Sequence, residues 1–474
     1  MTRYSSCLAF LFFVNVVVAA ERPNVLFIAV DDLRPQMNCY GKDFMRTPNL
    51  DALASRGVLF ERAYCMVPTC GASRAALMTS VRPANNRFTT HLTWAEKDAA
   101  GKIPLNRHFK NNGYTTISLG KVFHHPTDCT DGWTKPAWRS PKPGYQDDEA
   151  RKLAIEQNKA TWPEKNSFNA APFESFEGPE ENYPDVDCAR EAIRYLEEFS
   201  NQPDQPFFLA VGFLKPHLPF NAPKKYWDLY DFDSIPMPDN YFHPEGAPVG
   251  AVHNSGELRA YAGIHPRDPV DERTARKLIH GYYACVSFTD AQIGKLLSAL
   301  DQLNLRDNTI VVLWGDHGWQ LGEHQMWNKH SCFETSMHAP LMIVPPADSA
   351  IRPGSRVSSL AEFIDIYPTL CEMTGLDVPE HVEGTSLVPV MLDPRLPGKQ
   401  FAIGRFGAGD TIRTDRFRFS EYRQQGNVSG NMLYDHVMDD AENVNVAPQH
   451  AVTVEELAHL LRSNMGKPNP KNNQ

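Results

Sequence analysis

Several features are missing from this sequence of 474 residues. Its nine cysteines form no CxxC pair and no tight cluster, which argues against a zinc site or a disulfide knot. The formal net charge is -10, whereas a protein that binds duplex nucleic acid normally carries a basic face. There is no internal repeat. We therefore expect no nucleic acid partner, although a few basic residues and a metal can still make a pocket locally positive for an anion.

The N-terminus has the features of a secretory signal peptide. Arg3 precedes an apolar run over residues 8–18, and small residues follow at 18–20. This apolar run is shorter than a membrane span, which needs about 20 residues, and no later apolar run is longer. We expect cleavage near Ala20 and a secreted or periplasmic protein without a stable membrane anchor; an uncleaved anchor is the alternative. The pairing of the remaining cysteines stays open.

The rest of the chain predicts an α/β fold with a large and a small domain. Residues 24–30, 206–212 and 309–314 are apolar and β-branched, which is typical of strands buried on both faces of a parallel sheet. Amphipathic stretches between them predict helices. We expect a large, mostly parallel sheet sandwiched by helices over residues 21–395, and a small C-terminal α+β subdomain with an antiparallel sheet over 396–474 that ends in a disordered tail.

Four C-terminal segments have distinct patterns. Residues 359–375 predict a helix, and residues 389–399 predict a proline-rich linker. Alternation over 401–422 predicts strands, and 453–465 predicts a last helix with Thr453 as its N-cap.

A further strand is predicted over residues 114–119, and polar residues follow all four of these predicted strands. They are Asp31 and Asp32, Lys121 and His124, His217, and Asp316 and His317. In open α/β sheets the ligand lies beyond the carboxyl ends of the strands. We therefore expect these four loops to converge on one site.

The carboxylates among these residues suggest a metal. Adjacent carboxylates such as Asp31 and Asp32 raise each other's pKa unless a cation neutralises them. With Asp316 they offer hard oxygen ligands, which suit Ca²⁺ or Mg²⁺ rather than zinc. An Asp-Asp pair alone is more often an exposed turn, so the metal hypothesis depends on the predicted convergence.

The most specific motif begins at Cys70, where the sequence CGASR is followed by AALMTSVRP. It resembles the signature of the type I sulfatases of the alkaline phosphatase superfamily, in which the cysteine is converted to formylglycine. The runs at residues 24–35, 109–124, 214–220 and 315–329 are similar to the iduronate-2-sulfatase branch of that family. A buried structural cysteine at the start of a helix is the alternative for an isolated Cys70, but not for Cys70 with Arg74 and an upstream Asp-Asp pair.

The resemblance implies a fold, a cofactor and residue roles. It implies an alkaline phosphatase-like α/β sandwich, one Ca²⁺ ion, and a formylglycine-generating or sulfatase-maturating enzyme as partner. The implied metal ligands are Asp31, Asp32, Asp316 and His317, with the formylglycine from Cys70. The implied catalytic residues are Cys70, Arg74, which holds the formylglycine hydrate, Lys121 and His124 beside the nucleophile, and His217 and Lys329 at the sulfate and the leaving oxygen.

The implied chemistry requires an aldehyde hydrate, because its two hydroxyls sit on one carbon. One attacks sulfur and forms a covalent sulfoenzyme intermediate, and deprotonation of the other expels sulfate. His217 is the candidate acid for the departing sugar oxygen, and His124 is the candidate base. The resemblance predicts an exo-acting sulfatase on sulfated carbohydrates, with a 2-O-sulfated uronic acid as the substrate.

Two departures from the family signature are present. Ala72 occupies a position where many members have proline, which leaves the type of maturation enzyme open. Ser80 and Val81 replace the usual Gly-Arg, so one contact to the hydrate is either missing or supplied by Arg82.

Two other functions stay open. One is a phosphoester hydrolase of the same superfamily, and the other is a protein that binds sulfated glycans without hydrolysing them because Cys70 is never oxidised. We expect substrate specificity to lie in residues 127–184, a predicted surface insertion, and in residues 232–269.

Overall fold

The computed structural model describes residues 22–465. The predicted signal peptide and the predicted disordered tail therefore lie outside the described residues. Within residues 22–465, no helix is both long enough and apolar enough to cross a membrane.

Fifteen strands and thirteen α-helices are present in this part of the chain. The strands are β1 (Asn24–Val30), β2 (Val58–Tyr64), β3 (Thr115–Gly120), β4 (Phe173–Phe176), β5 (Phe207–Phe213), β6 (Phe220–Pro223), β7 (Thr309–Gly315), β8 (Gln320–Leu321), β9 (Trp327–Asn328), β10 (Leu341–Val344), β11 (Ser355–Glu362), β12 (Ala402–Phe406), β13 (Gly409–Arg413), β14 (Phe417–Gln424) and β15 (Asn427–Asp435). The helices are α1 (Pro48–Arg56), α2 (Cys70–Thr79), α3 (Ala95–Asp98), α4 (Leu105–Asn111), α5 (Asp148–Thr161), α6 (Pro184–Ser200), α7 (Lys224–Trp227), α8 (Gly256–Arg259), α9 (Glu272–Gln302), α10 (Glu334–Met337), α11 (Ile366–Thr374), α12 (Val388–Leu392) and α13 (Ala451–Asn464).

The main sheet has seven strands in the order β11-β2-β10-β7-β1-β5-β3. β1 pairs in parallel with both β5 and β7, whereas β10 is antiparallel to both of its neighbours. Alternate side chains of β1 enter two separate cores, because successive residues of a strand point to opposite faces. Leu26 and Ile28 pack with α1, α6 and α9, and Val25 and Phe27 pack with α2, α4 and α11. The predicted α/β sandwich is confirmed.

A second, four-stranded sheet has the order β12-β13-β14-β15 and is antiparallel throughout. Its apolar face, which includes Ile412 and Phe419, packs against Leu457 and Leu461 of α13. The predicted small C-terminal antiparallel sheet is thus confirmed, while the domain boundary at residue 395 stays a prediction.

Three predictions of local structure are wrong in part, although helices are present at 366–374 and 451–464. Residues 359–362 belong to β11, which pairs with β2, so tertiary pairing overrides the helical pattern there. The predicted linker over 389–399 contains most of α12. The last helix begins at Ala451 with His450 as its N-cap, so Thr453 lies inside the helix. The predicted insertion at 127–184 contains α5 and β4, and β4 pairs with β6.

A buried ion cluster joins the small sheet to the main one. Glu362, at the end of β11, binds both terminal nitrogens of Arg82 at 2.7 and 2.6 Å and contacts Lys399. It also accepts a hydrogen bond of 2.9 Å from the backbone N–H of Ile403 in β12. Arg82 is therefore engaged with Glu362.

Glu362 is expected to make the free energy of unfolding depend on pH. Burial raises its pKa, but Arg82 and Lys399 outweigh burial and lower the pKa to about 2. Because its pKa in the unfolded chain is about 4.3, its contribution of at most about 3 kcal/mol is present above that pH and disappears as the pH falls toward 2. We expect the gap in urea midpoint between wild type and Glu362→Gln to be widest above about pH 5 and to narrow below it.

The matched control for this series is Glu61→Gln. Glu61 forms a single ion pair of 2.7 Å with Arg356, and both side chains are more than one-third exposed. Such a pair contributes little to stability. Equal and pH-independent losses for the two variants would contradict the role given to Glu362.

Candidate active site

Cys70 is the first residue of α2, and all ten residues of this helix are buried. A Cβ atom at Gly71 would lie 2.1 Å from the carbonyl oxygen of His91, so only glycine permits this close approach of the two segments. The eight cysteines of the described part of the chain are all unpaired. Cys70 is thus held on a rigid helix, at the end where the helix dipole favours anions.

Asp31, Asp32 and Asp316 meet at the carboxyl end of the main sheet. Strands β1 and β7 are parallel and pair Val30 with Gly315, so the residues that follow them lie side by side. Asp32 adopts a positive φ of 60°, and its backbone N–H donates to Asp316 Oδ1 at 2.9 Å. The predicted convergence of these strand ends is observed.

The guanidinium of Arg74 bridges two of these carboxylates. Its Nε lies 3.0 Å from Asp316 Oδ2, and its Nη2 lies 3.0 Å from Asp31 Oδ1, with all three side chains fully buried. Nη1 donates to the carbonyl oxygens of Val122, at 2.9 Å, and Lys121. Arg74 therefore ties α2 to the ends of β1, β3 and β7.

The Cys70 thiol lies among possible metal ligands. Its Sγ atom is 3.4 Å from His317 Nε2 and 3.9 Å from Asp32 Oδ1. His317 Nε2 is in turn 3.3 Å from Asp32 Oδ1 and 3.6 Å from Asp316 Oδ1. Two overlapping groups have all their ligand atoms within 4.8 Å of one another: Asp32, Cys70, Asp316 and His317, and Asp31, Asp32, Cys70 and His217.

The electrostatics of the two adjacent aspartates differ. Burial raises the pKa of Asp32 to about 7, because the charge of Lys329 offsets only part of the effect of burial on the carboxylate. Burial also acts on Asp31, but Lys121, His217 and Arg74 together hold its pKa well below the ordinary value. Of these two aspartates, Asp32 would therefore gain more from a bound cation.

Lys121 and His124, which follow β3, differ in their contacts. The Lys121 Nζ atom lies 2.5 Å from Asp31 Oδ2. Within residues 22–465, His124 forms no hydrogen bond or ion pair with the cluster, and its ring packs edge-on against His91 with centroids 5.9 Å apart. Burial and the nearby Lys121 lower the pKa of His124 to about 3, so its imidazole is neutral.

His217 and Lys329 lie together beside Asp32. Lys329 Nζ is 3.1 Å from Asp32 Oδ1, and His217 Nε2 is 3.8 Å from Asp32 Oδ2. Both also contact Glu257, a site residue that the sequence analysis missed. Glu257 is part of no recognisable motif. It lies within residues 232–269, where substrate specificity was predicted, but nothing in the sequence singles it out.

All ten residues proposed from the sequence are thus found at or beside this end of the sheet. His124 is the one with no direct polar contact to the others within the described ranges. Arg82, considered as a substitute ligand for the hydrate, is bound to Glu362 instead.

Solved structures share this alkaline phosphatase-like fold. One protein, solved in complex with its substrate D-glucosamine-2-N,6-O-disulfate, has 21% identity and a TM-score of 0.74, over 96% of this chain and 100% of that one. The phosphonate monoester hydrolase of Agrobacterium radiobacter has 24% identity and a TM-score of 0.73, over 93% and 95%. The fold alone does not distinguish sulfate from phosphonate esters.

The sequence makes that distinction. The family model described as Sulfatase matches residues 23–376. Human iduronate 2-sulfatase is 32% identical over 442 residues, which cover 86% of this chain and 76% of the human protein. The chain belongs to the sulfatase family, and it is a sulfuric ester hydrolase. The family resemblance predicted from the CGASR motif is confirmed.

Proposed function

We propose that this sulfatase removes sulfate from sulfated carbohydrates, with a terminal 2-O-sulfated uronic acid as its substrate. The observation that carries the proposal is the position of Cys70, which opens a buried helix and lies within 4 Å of both Asp32 and His317. The name of the human relative supports the uronic acid, and the neighbour bound to a sulfated glucosamine supports a sulfated sugar.

Calcium fits the donor set of this site. Asp31, Asp32 and Asp316 supply hard oxygen ligands that are fully buried. His317 Nδ1 lies 2.9 Å from the carbonyl oxygen of Gly318, which can only accept, so Nε2 has its lone pair free for a ligand. When bound, calcium would neutralise charge on the sulfate and lower the pKa of a hydroxyl on the residue at position 70.

The charges of the chain would complete an anion site. Asp31, Asp32 and Asp316 are balanced by Arg74, Lys121 and Lys329, and Glu257 adds one further negative charge. A divalent cation would therefore make the pocket net positive, as a sulfate ester requires. Lys121 and Lys329, which contact Asp31 and Asp32, would offset the charge on the transferring sulfuryl group.

Formylglycine at position 70, made by a maturation enzyme, would supply a nucleophilic hydroxyl and a second hydroxyl on the same carbon. His217 Nδ1 lies 2.6 Å from the carbonyl oxygen of Leu218, so it carries a proton and leaves Nε2 to face the site. Nε2 would donate a proton to the leaving oxygen from the imidazolium form, which burial and Lys329 disfavour by lowering the pKa of His217 to about 4. His124 is neutral and would accept the proton of the second hydroxyl.

Phosphoester hydrolysis is the second candidate activity of this site, because a phosphonate monoester hydrolase shares the fold. Rates on 4-nitrophenyl sulfate and 4-nitrophenyl phosphate separate the two. Faster hydrolysis of the phosphate would favour the second candidate.

The test of the proposed function is mass spectrometry of the tryptic peptide that spans Cys70, followed by assays on sulfated disaccharides. Protein from its native host, or made with a maturation enzyme, should show a loss of about 18 Da at Cys70. It should also release sulfate from a disaccharide that ends in a 2-O-sulfated uronic acid. An intact, alkylatable thiol in natively matured protein would leave glycan binding without hydrolysis as the function.

A further inference from the structure

Glu257 lies at the active site although no motif includes it. Its Oε2 atom is 3.0 Å from Lys329 Nζ, and its Oε1 atom is 3.4 Å from His217 Nε2. The side chain is 25% exposed, whereas Asp32, which contacts the same two residues, is fully buried. Lys329 and His217 therefore share two carboxylates, one deep in the site and one nearer to solvent.

The segment that carries Glu257 is bonded to the segment that carries Lys329. The hydroxyl of Ser255 accepts a hydrogen bond of 2.9 Å from the backbone N–H of Trp327. The side chain of Asn328 accepts one of 3.3 Å from the backbone N–H of Leu258. Hydrogen bonds on either side of Glu257 thus hold its backbone next to that of Lys329. An ion pair between two mobile surface side chains has no such support.

A lysine side chain needs such a partner. Its four-carbon stem has several rotamers, and its ammonium is a point charge that follows the nearest anion. With Asp32 as its sole partner, Lys329 would be drawn toward the metal-binding carboxylates. Burial opposes ionisation of Glu257, but Lys329 and His217 hold its pKa near 2, so the second carboxylate is charged.

We propose that Glu257 is a positioning residue: its carboxylate holds the Lys329 ammonium beside His217 Nε2, at the place where the ester oxygen departs. The inference rests on the proposed function, which gives His217 and Lys329 their roles at that oxygen. Glu257 does not react itself. It acts by fixing Lys329 and by placing a carboxylate 3.4 Å from His217 Nε2, the atom that would carry the donated proton.

The test compares leaving groups in Glu257→Gln, with conversion of Cys70 verified by mass spectrometry. A sugar alkoxide is a poor leaving group and needs both helpers, whereas 4-nitrophenolate needs little assistance. We expect kcat/KM to fall about 10- to 100-fold on a sulfated disaccharide and less than about 3-fold on 4-nitrophenyl sulfate. Asp268→Asn is the control, since Asp268 is an exposed carboxylate in the same region.

The outcomes are distinguishable. Equal losses on both substrates, or a lowered urea midpoint that accounts for the loss, would show a structural role and overturn the inference while the proposed function stands. A wild-type enzyme that hydrolyses aryl sulfates but no sulfated sugar would overturn the proposed function and this inference with it. A loss confined to the sugar substrate supports both.

Discussion

Replacing Cys70 with alanine should abolish sulfate ester hydrolysis and leave the fold intact. In the proposed function the side chain at position 70 supplies the nucleophile, and no neighbouring group can replace it. We expect kcat/KM on 4-nitrophenyl sulfate to fall by at least about 10³-fold. Because the thiol makes only weak contacts at 3.4 and 3.9 Å, the urea midpoint should change little.

Cysteine 39 provides the matched control. It is half-buried and, like Cys70, unpaired, but it lies near Asp51 and Arg356. Cys39→Ser should retain turnover and the converted Cys70 peptide. If Cys70→Ala kept more than a few per cent of wild-type turnover, the nucleophile would have to be another group.

The site was largely predictable because its polar residues directly follow strands that can be recognised in the sequence. Strands buried on both faces can be recognised in the sequence as apolar runs. The residues that follow parallel strands lie at the same edge of the sheet. Asp31, Asp316 and His217 could therefore be grouped before any geometry was known. Glu257 could not, because α8 is four residues long and its position depends on hydrogen bonds to a segment about 70 residues away.

The errors in the fold have a similar cause. The segment that forms β11 reads as the beginning of a helix, and only its pairing with β2, nearly 300 residues earlier, makes it a strand. Strand β2 itself has polar residues at Glu61 and Arg62, so it lacked the continuous apolar run that marked β1. The C-terminal sheet was easier to predict, since each of its strands pairs with the next in sequence.

Loss of Arg74 is expected to cause the largest change in stability. Arg74 is fully buried between Asp31 and Asp316 and also donates to backbone carbonyls. Arg74→Met fills a similar volume beside Trp314 but removes the guanidinium that two buried carboxylates share, and only Asp31 keeps a second cation, Lys121. We expect the free energy of unfolding to fall by about 3–5 kcal/mol. Arg56→Met, which breaks an exposed ion pair of 3.0 Å, should cost less than about 1 kcal/mol.

Calcium should modify this loss, because calcium and Arg74 neutralise the same carboxylates. Each is expected to matter more when the other is absent, so Arg74→Met should be most destabilising in the presence of a chelator. Wild type should itself gain about 4 kcal/mol when free calcium exceeds its dissociation constant about 1,000-fold. Urea midpoints of wild type, Arg74→Met and Arg56→Met, each with calcium and with chelator, measure this coupling. If calcium did not change the urea midpoint of wild type, the metal site would be contradicted. If calcium raised the midpoint equally in all three proteins, Arg74 and the cation would act on different groups.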